Sequence, residues 1–184
     1  MLPPEAKAVL RRRVRTRLRD CGHGQLERES ASICSQLLSR NPSPAHVLAY
    51  WPLASEPDIR PALRTWLSGG CHISLPLVEG EGLSAREISD FDALIRGDLG
   101  VREPDPARCP ASQLKTVDLI IVPGVAFASN GDRLGRGGGY YDRFLAAIPT
   151  EIPRIGVAFA CQIFDVIPTE PHDWQLSAVI TTRR

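Results

Sequence analysis

No apolar run in this 184-residue chain is long enough to cross a membrane. No C-x-x-C pair occurs among its five cysteines, Cys21, Cys34, Cys71, Cys109 and Cys161. An odd, scattered set argues against a disulfide framework and for reduced thiols, mostly buried as small hydrophobes, in a cytosolic protein. A dominant charge is missing too: 22 basic and 21 acidic residues leave +1, so no global field draws the chain to nucleic acid or an acidic membrane. The four histidines have no zinc-site spacing, and without a Gly-x-Ser-x-Gly elbow an acyl-transfer serine is not expected. The N-terminus lacks the apolar core of a secretory signal. Its Arg-rich, acid-poor opening has transit-peptide composition, but Pro3-Pro4-Glu5 is a poor start for one, and a cytoplasmic location is expected.

What the chain does have is one dense stretch. The apolar run Asp118 to Phe127 leads into Gly131–Asp142, which holds five glycines, two arginines, two tyrosines and two aspartates. Glycine at that density lets backbone N–H groups approach a ligand closely, and paired guanidiniums indicate an anion. Gly135-x-Gly137 lacks the third glycine of a dinucleotide fingerprint, and no Gly-Lys-Ser or Gly-Lys-Thr makes a Walker loop. The pattern therefore predicts a phosphate-binding loop at the end of a buried strand. Asp142, at the start of the next helix, is either a partner for the helix dipole or a Mg²⁺ ligand beside nucleotide phosphates.

Around this loop the chain reads as strands alternating with helices. Leu10, Val14 and Leu18 recur every four residues in a first helix from Lys7 to about Cys21, with Lys7, Arg11 and Arg15 in a second stripe. Seven of the thirteen residues Lys7–Arg19 are basic, which suits an anion site. A second helix is predicted over Leu26–Leu38 and a strand over His46–Trp51. A helix over Ile59–Leu67 and a strand over Cys71–Leu75, ended by Pro76, complete a βαβ unit. Residues 79–116 are irregular, with a hairpin strand at Leu83–Ile88, a helical turn at Asp92–Ile95 and extended chain at Arg102–Pro106. Strands follow at Val117–Val122, Pro153–Phe159 and Ala178–Thr181, with helical segments at Tyr141–Ile148 and Gln162–Val166. The expected fold is a single three-layer α/β/α, Rossmann-like domain over residues 1–184, with a mostly parallel central sheet. Glu56 falls in the first βα connection, where such sheets place ligand contacts; a helix N-terminal acid is the alternative. His172-Asp173 precedes the last strand.

Taken together, these segments resemble the 5-formyltetrahydrofolate cyclo-ligase (5,10-methenyltetrahydrofolate synthetase) family. The match runs from Val122 through Arg143, V-P-G-x-A-F then G-x-R-L-G-R-G-G-G-Y-Y-D-R. It extends to Lys7-x-x-x-Arg11, Tyr50-Trp-Pro-Leu with Glu56, Gly100-Val-Arg-Glu-Pro104, Ile155-Gly-Val-Ala-Phe-x-x-Gln162, Ile167-Pro168 and His172-Asp173. The resemblance implies a cytoplasmic, monomeric, ATP- and Mg²⁺-dependent ligase acting on 5-formyltetrahydrofolate, with or without a polyglutamate tail, and binding neither nucleic acid nor membrane. It implies that Lys7 and Arg11 contact ATP phosphates while Arg133, Leu134, Gly135, Arg136, Gly137, Gly138, Gly139, Tyr140 and Tyr141 wrap the nucleotide. Asp142 and Asp173 would hold Mg²⁺, and Trp51, Glu56 and Tyr140 would contact the folate. Arg136 and Tyr140 would carry the chemistry, Tyr140 at the boundary between the two ligands.

Three positions depart from the family pattern: Ala128 where Asp is common, Ser177 in place of Asp, and Gly138 where some relatives carry Lys. Other readings are a cyclo-ligase-like paralogue with another substrate, such as a thiamine-related one, or a non-catalytic nucleotide- or RNA-binding module.

Overall fold

In a computed structural model, which describes residues 4–97, 100–170 and 173–182, the chain opens with two helices, α1 (Pro4–Asp20) and α2 (His23–Arg40). Pro3 and His172, singled out above, lie outside the described residues. There follow β1 (His46–Leu48), α3 (Arg60–Ser68), β2 (His72–Glu79), β3 (Gly82–Ile88), β4 (Leu94–Arg96) and β5 (Arg102–Pro104). The second half holds β6 (Leu119–Val122), β7 (Ala126–Phe127), β8 (Arg133–Leu134), α4 (Tyr140–Ala146), β9 (Arg154–Ala158) and β10 (Ala178–Thr181). Six strands form the central sheet in the order β10-β9-β6-β1-β2-β3, parallel except for the edge strand β3. β4 pairs with β5, and β7 with β8, as separate antiparallel pairs.

Alternation along the strands builds the layers. Val47, Ile73, Leu75, Leu119, Ile121, Ile155 and Val157 point to one face, where Ile33 and Leu37 of α2 and Ala62, Leu63 and Trp66 of α3 pack. Leu48, Ile120 and Val122 point to the other, against Phe144 and Leu145 of α4. β6 is buried on both faces because helices cover both. Leu10 and Val14 of α1 cluster instead with Ala126 and Leu134 of the β7–β8 pair. The three-layer α/β/α expectation is met.

Several local expectations change. Pro76 does not end β2: it pairs with Ala85 of β3 and lies two residues past Ser74, the last β2 partner of β1, so its missing N–H leaves no ladder bond unmade on that side. The expected turn at Asp92–Ile95 is a 3-10 turn at Phe91–Ala93, capped by Asp90, which gives way to β4. β1 stops at Leu48 rather than Trp51, although Ala49 and Tyr50 stay buried. The turn expected at Gln162–Val166 lies earlier, at Ala160–Gln162.

A polar chain centred on the buried His46 and Ser74 closes the end of the sheet where β1 begins. His46 Nδ1 meets Thr116 Oγ1 at 2.8 Å, His46 Nε2 meets Ser74 Oγ at 2.8 Å, and Ser74 Oγ donates to Ser112 Oγ at 2.7 Å. Burial lowers the His46 pKa below its usual 6.5, with nearby His72 acting the same way and Glu87 and Asp118 opposing. The unfolded chain thus binds this proton more readily than the folded one. The stability this provides is full above pH about 6.5 and is lost as pH falls below it. Urea midpoints measured from pH 7 to 5 should decline, and His46→Gln should flatten that decline; an unchanged slope would remove His46 as its source.

Candidate active site

β1 and β6 are neighbours, yet the chain leaves them toward opposite faces, β1 to α3 and β6 to α4. Such a divergence opens a crevice at the C-terminal ends of the strands, where α/β sheets bind ligands. A cleft of about 270 Å³ lies there, lined from both connections.

The β6–α4 connection is the glycine-rich stretch. β7 and β8 fold it into a short hairpin before it runs through Gly135–Gly139 into α4. Gly137 (φ 109°) and Gly139 (φ 66°) are left-handed, a conformation in which a side chain would be strained. A Cβ at Gly138 would stand 2.8 Å from the Tyr140 ring, so the absence of a side chain lets Tyr140 fold over the loop. Arg133 is buried in the wall: one Nη donates to the Pro123 carbonyl at 3.2 Å and the other to Asp142, tying the end of β6 to the start of α4. Gln162 latches the same turn from the 3-10 turn after β9, donating to the Val125 carbonyl at 3.1 Å and accepting from the Phe159 amide at 2.9 Å.

The β1–α3 connection supplies Glu56, whose side chain is only 5% exposed. Its Oε2 accepts from the Leu53 amide at 3.0 Å and its Oε1 from Arg136 Nη2 at 2.8 Å, while the same Nη2 also donates to Ser55 Oγ at 3.0 Å. The two connections are thereby joined by one ion pair. Helix α1 brings Arg11, whose Nε donates to the Gly135 carbonyl at 2.9 Å, and Lys7, which donates to Asp173 at 2.7 Å and Glu170 at 2.6 Å. Burial acts to lower the Lys7 pKa, but its bonds to Asp173 and Glu170 outweigh that and raise it, so the ammonium stays charged.

The other end of the cleft is apolar, formed by Tyr50, Trp51, Pro76, Val78 and Leu83. Trp51 packs at 5.3 Å from Phe91 with the rings tilted by 58°, and the guanidiniums of Arg60 and Arg102 lie 5.8 and 5.7 Å from its ring. Burial, reinforced by the Glu56 charge, raises the pKa of Tyr50 and of Tyr141, so both phenols remain protonated donors at neutral pH.

Every residue singled out in the sequence for ATP, folate or metal lines this one cleft: Lys7, Arg11, Trp51, Glu56, Arg133 through Asp142, and Asp173. Several others were not foreseen. Glu170 shares Lys7 with Asp173, and only its place three residues before Asp173 hinted at it. Tyr50 adjoins Trp51 in the lining, and Ser55, beside Glu56, accepts from Arg136. Val101, Arg102 and Glu103 fall in the matched segment Gly100–Pro104, which was given no role, and reach the cleft on β5 and the residue before it. Ala128 is buried at the β7–β8 turn, and Ser177 accepts from the Arg154 amide at 3.1 Å; neither lines the cleft.

Residues 3–182 match the model of the 5-formyltetrahydrofolate cyclo-ligase family. The chain belongs to this family. It is 31% identical over its full length to the 5-formyltetrahydrofolate cyclo-ligase of Mycolicibacterium smegmatis, covering 97% of that protein. The cyclo-ligase of Escherichia coli K12 is 30% identical over 74% of this chain and 78% of its own length. Among solved structures, the NMR structure of Aquifex aeolicus 5,10-methenyltetrahydrofolate synthetase superposes with a TM-score of 0.85 at 30% identity, covering 97% of this chain and 90% of that one. This chain is thus a cyclo-ligase-family enzyme, and the cleft at its switch point is its candidate active site.

Proposed function

We propose that the enzyme closes 5-formyltetrahydrofolate to 5,10-methenyltetrahydrofolate at the expense of ATP, releasing ADP and phosphate. The observation that carries this reading is the Arg136–Glu56 pair, which joins a glycine-rich anion loop to the connection bearing Trp51. Phosphate-binding and ring-binding groups thereby meet at one point, as a reaction between a nucleotide and a heterocycle requires. ATP occupies the loop and the α1 cations, and the folate occupies the apolar end against Trp51.

The formyl oxygen attacks the terminal phosphorus in line and ADP leaves. The formyl carbon is then an iminium bearing phosphate. N10 attacks that carbon, the C–O bond breaks with phosphate as the leaving group, and N10 loses its proton. The protein's part is alignment and charge neutralisation. Arg136 and Arg11 face the transferring phosphoryl group, Tyr140 covers the junction of the two ligands, and Glu56 accepts hydrogen bonds from the folate ring.

The lining also fits Mg²⁺. Five cations, Lys7, Arg11, Arg102, Arg133 and Arg136, stand among five carboxylates, Glu56, Glu103, Asp142, Glu170 and Asp173, so the cleft holds no formal excess of positive charge for a triphosphate. No three His, Cys, Asp or Glu side chains among the described residues gather into a protein-only cage. Mg²⁺ carried in on phosphate oxygens takes only one or two carboxylates, and Asp142 and Asp173, both in the lining, would supply them. Its chemistry there would be neutralisation of phosphate charge.

Mixing the protein with ATP, Mg²⁺ and 5-formyltetrahydrofolate should produce an ATP-dependent rise in the methenyl-folate absorbance band. Nucleotide binding without that rise would refute the cyclo-ligase assignment and leave a binding module.

A further inference from the structure

Beside the main cleft, a smaller pocket of about 90 Å³ opens between α1 and the turn after β6. Its polar lining is Arg11, Arg15, Arg136, Ser55 and Gln162, with Val14, Leu18 and Val125 as apolar walls. No described carboxylate lines it, in contrast to the evenly balanced main cleft. Arg136 meets Glu56 through one nitrogen only, and neither Arg11 nor Arg15 forms an ion pair with a described carboxylate. Gln162 holds the floor and is committed to backbone partners.

Lys7, Arg11 and Arg15 follow one another at four-residue spacing on α1, about 6 Å per step. The first two line the main cleft, and Arg15 stands only in the side pocket. Arg11 and Arg136 border both spaces, so the same two guanidiniums can face an anion in either one. The size suits one tetrahedral oxyanion and is too small for a nucleoside.

We propose that this side pocket is an orthophosphate subsite, in which Arg15 together with Arg11 and Arg136 takes up the phosphate released when the ring closes. Its role as a product site rests on the cyclo-ligase reading; its affinity for phosphate does not. The same chemistry could come from the terminal phosphate of a nucleotide, and the test separates the two sources.

Equilibrium dialysis of the full chain against labelled orthophosphate, without nucleotide or folate, should show saturable binding. Arg15→Gln should weaken it about tenfold, the loss expected for one charge-assisted hydrogen bond, and Arg12→Gln, an exposed change outside the pocket on the same helix, should not. In turnover, Arg15→Gln should raise the phosphate inhibition constant by a similar factor and leave the KM for ATP unchanged. No saturable binding, or equal affinities for the two variants, would overturn the subsite. A matching rise in the KM for ATP would assign the pocket to the nucleotide and overturn the product role. Should the chain make no methenyl product, dialysis still decides whether the pocket binds phosphate.

Discussion

Arg136→Ala should lower kcat/KM for ATP by about 10²–10³-fold, the loss found when one preorganised charge-stabilising donor is removed from a transfer site. The folate KM should rise as well, but less. Arg136 bridges Ser55 and Glu56, so its removal leaves a carboxylate with 5% exposure held by the Leu53 amide alone. For the same reason Glu56→Gln should disturb ATP as well as folate. The double variant should fall short of the summed single effects, with a coupling of about 0.5–3 kcal/mol for groups in contact. Arg136→Lys should recover little, because an ammonium cannot reproduce the planar fork. Steady-state kinetics in both substrates checks this. ATP parameters within about twofold of the parent would remove Arg136 from the phosphate site.

The second large effect concerns stability. Phe127 is fully buried, and its ring occupies space that two glycines leave open. A Cβ at Gly124 would stand 2.6 Å from the Phe127 Cζ, and one at Gly156 would stand 2.7 Å from its Cε1. The ring thus wedges between the turn after β6 and strand β9, while its carbonyl accepts from the Phe164 amide at 2.9 Å. Phe127→Ala should destabilise the fold by about 3–5 kcal/mol, since tightly packed surroundings collapse poorly into a cavity. Urea denaturation should show the lower midpoint. The residual folded fraction should bind ATP more weakly, because β7 sets the path of the loop. A loss below about 1 kcal/mol would mean that the wedge relaxes and carries little of the packing.

The parts of the fold visible in the sequence are those decided by neighbours along the chain. Leu10, Val14 and Leu18 mark α1, the apolar run ending at Val122 marks β6, and the glycines before Tyr140 mark a strand-to-helix loop. Arg102–Pro106 reads as extended and β5 lies there, but the pairing of β4 with β5 and of β7 with β8 escaped, because two or three residues carry no readable period. Pro76 misled because a proline is judged by whether a strand lies beside it, and nothing local says where β1 stops.

The site divides along the same line. From sequence alone came its inventory: an anion loop, a basic helix, an aromatic and an acid after the first strand, and an aspartate near the end. Which charge faces which was settled only by the tertiary structure. Arg133 turns inward to Asp142, Lys7 bridges Glu170 and Asp173 across more than 160 residues, and Arg136 reaches Glu56 80 residues away. Electrostatic partners depend on distance and burial rather than on periodicity. That is also why the side pocket at Arg15 became visible only once α1 was seen packed against the β7–β8 hairpin.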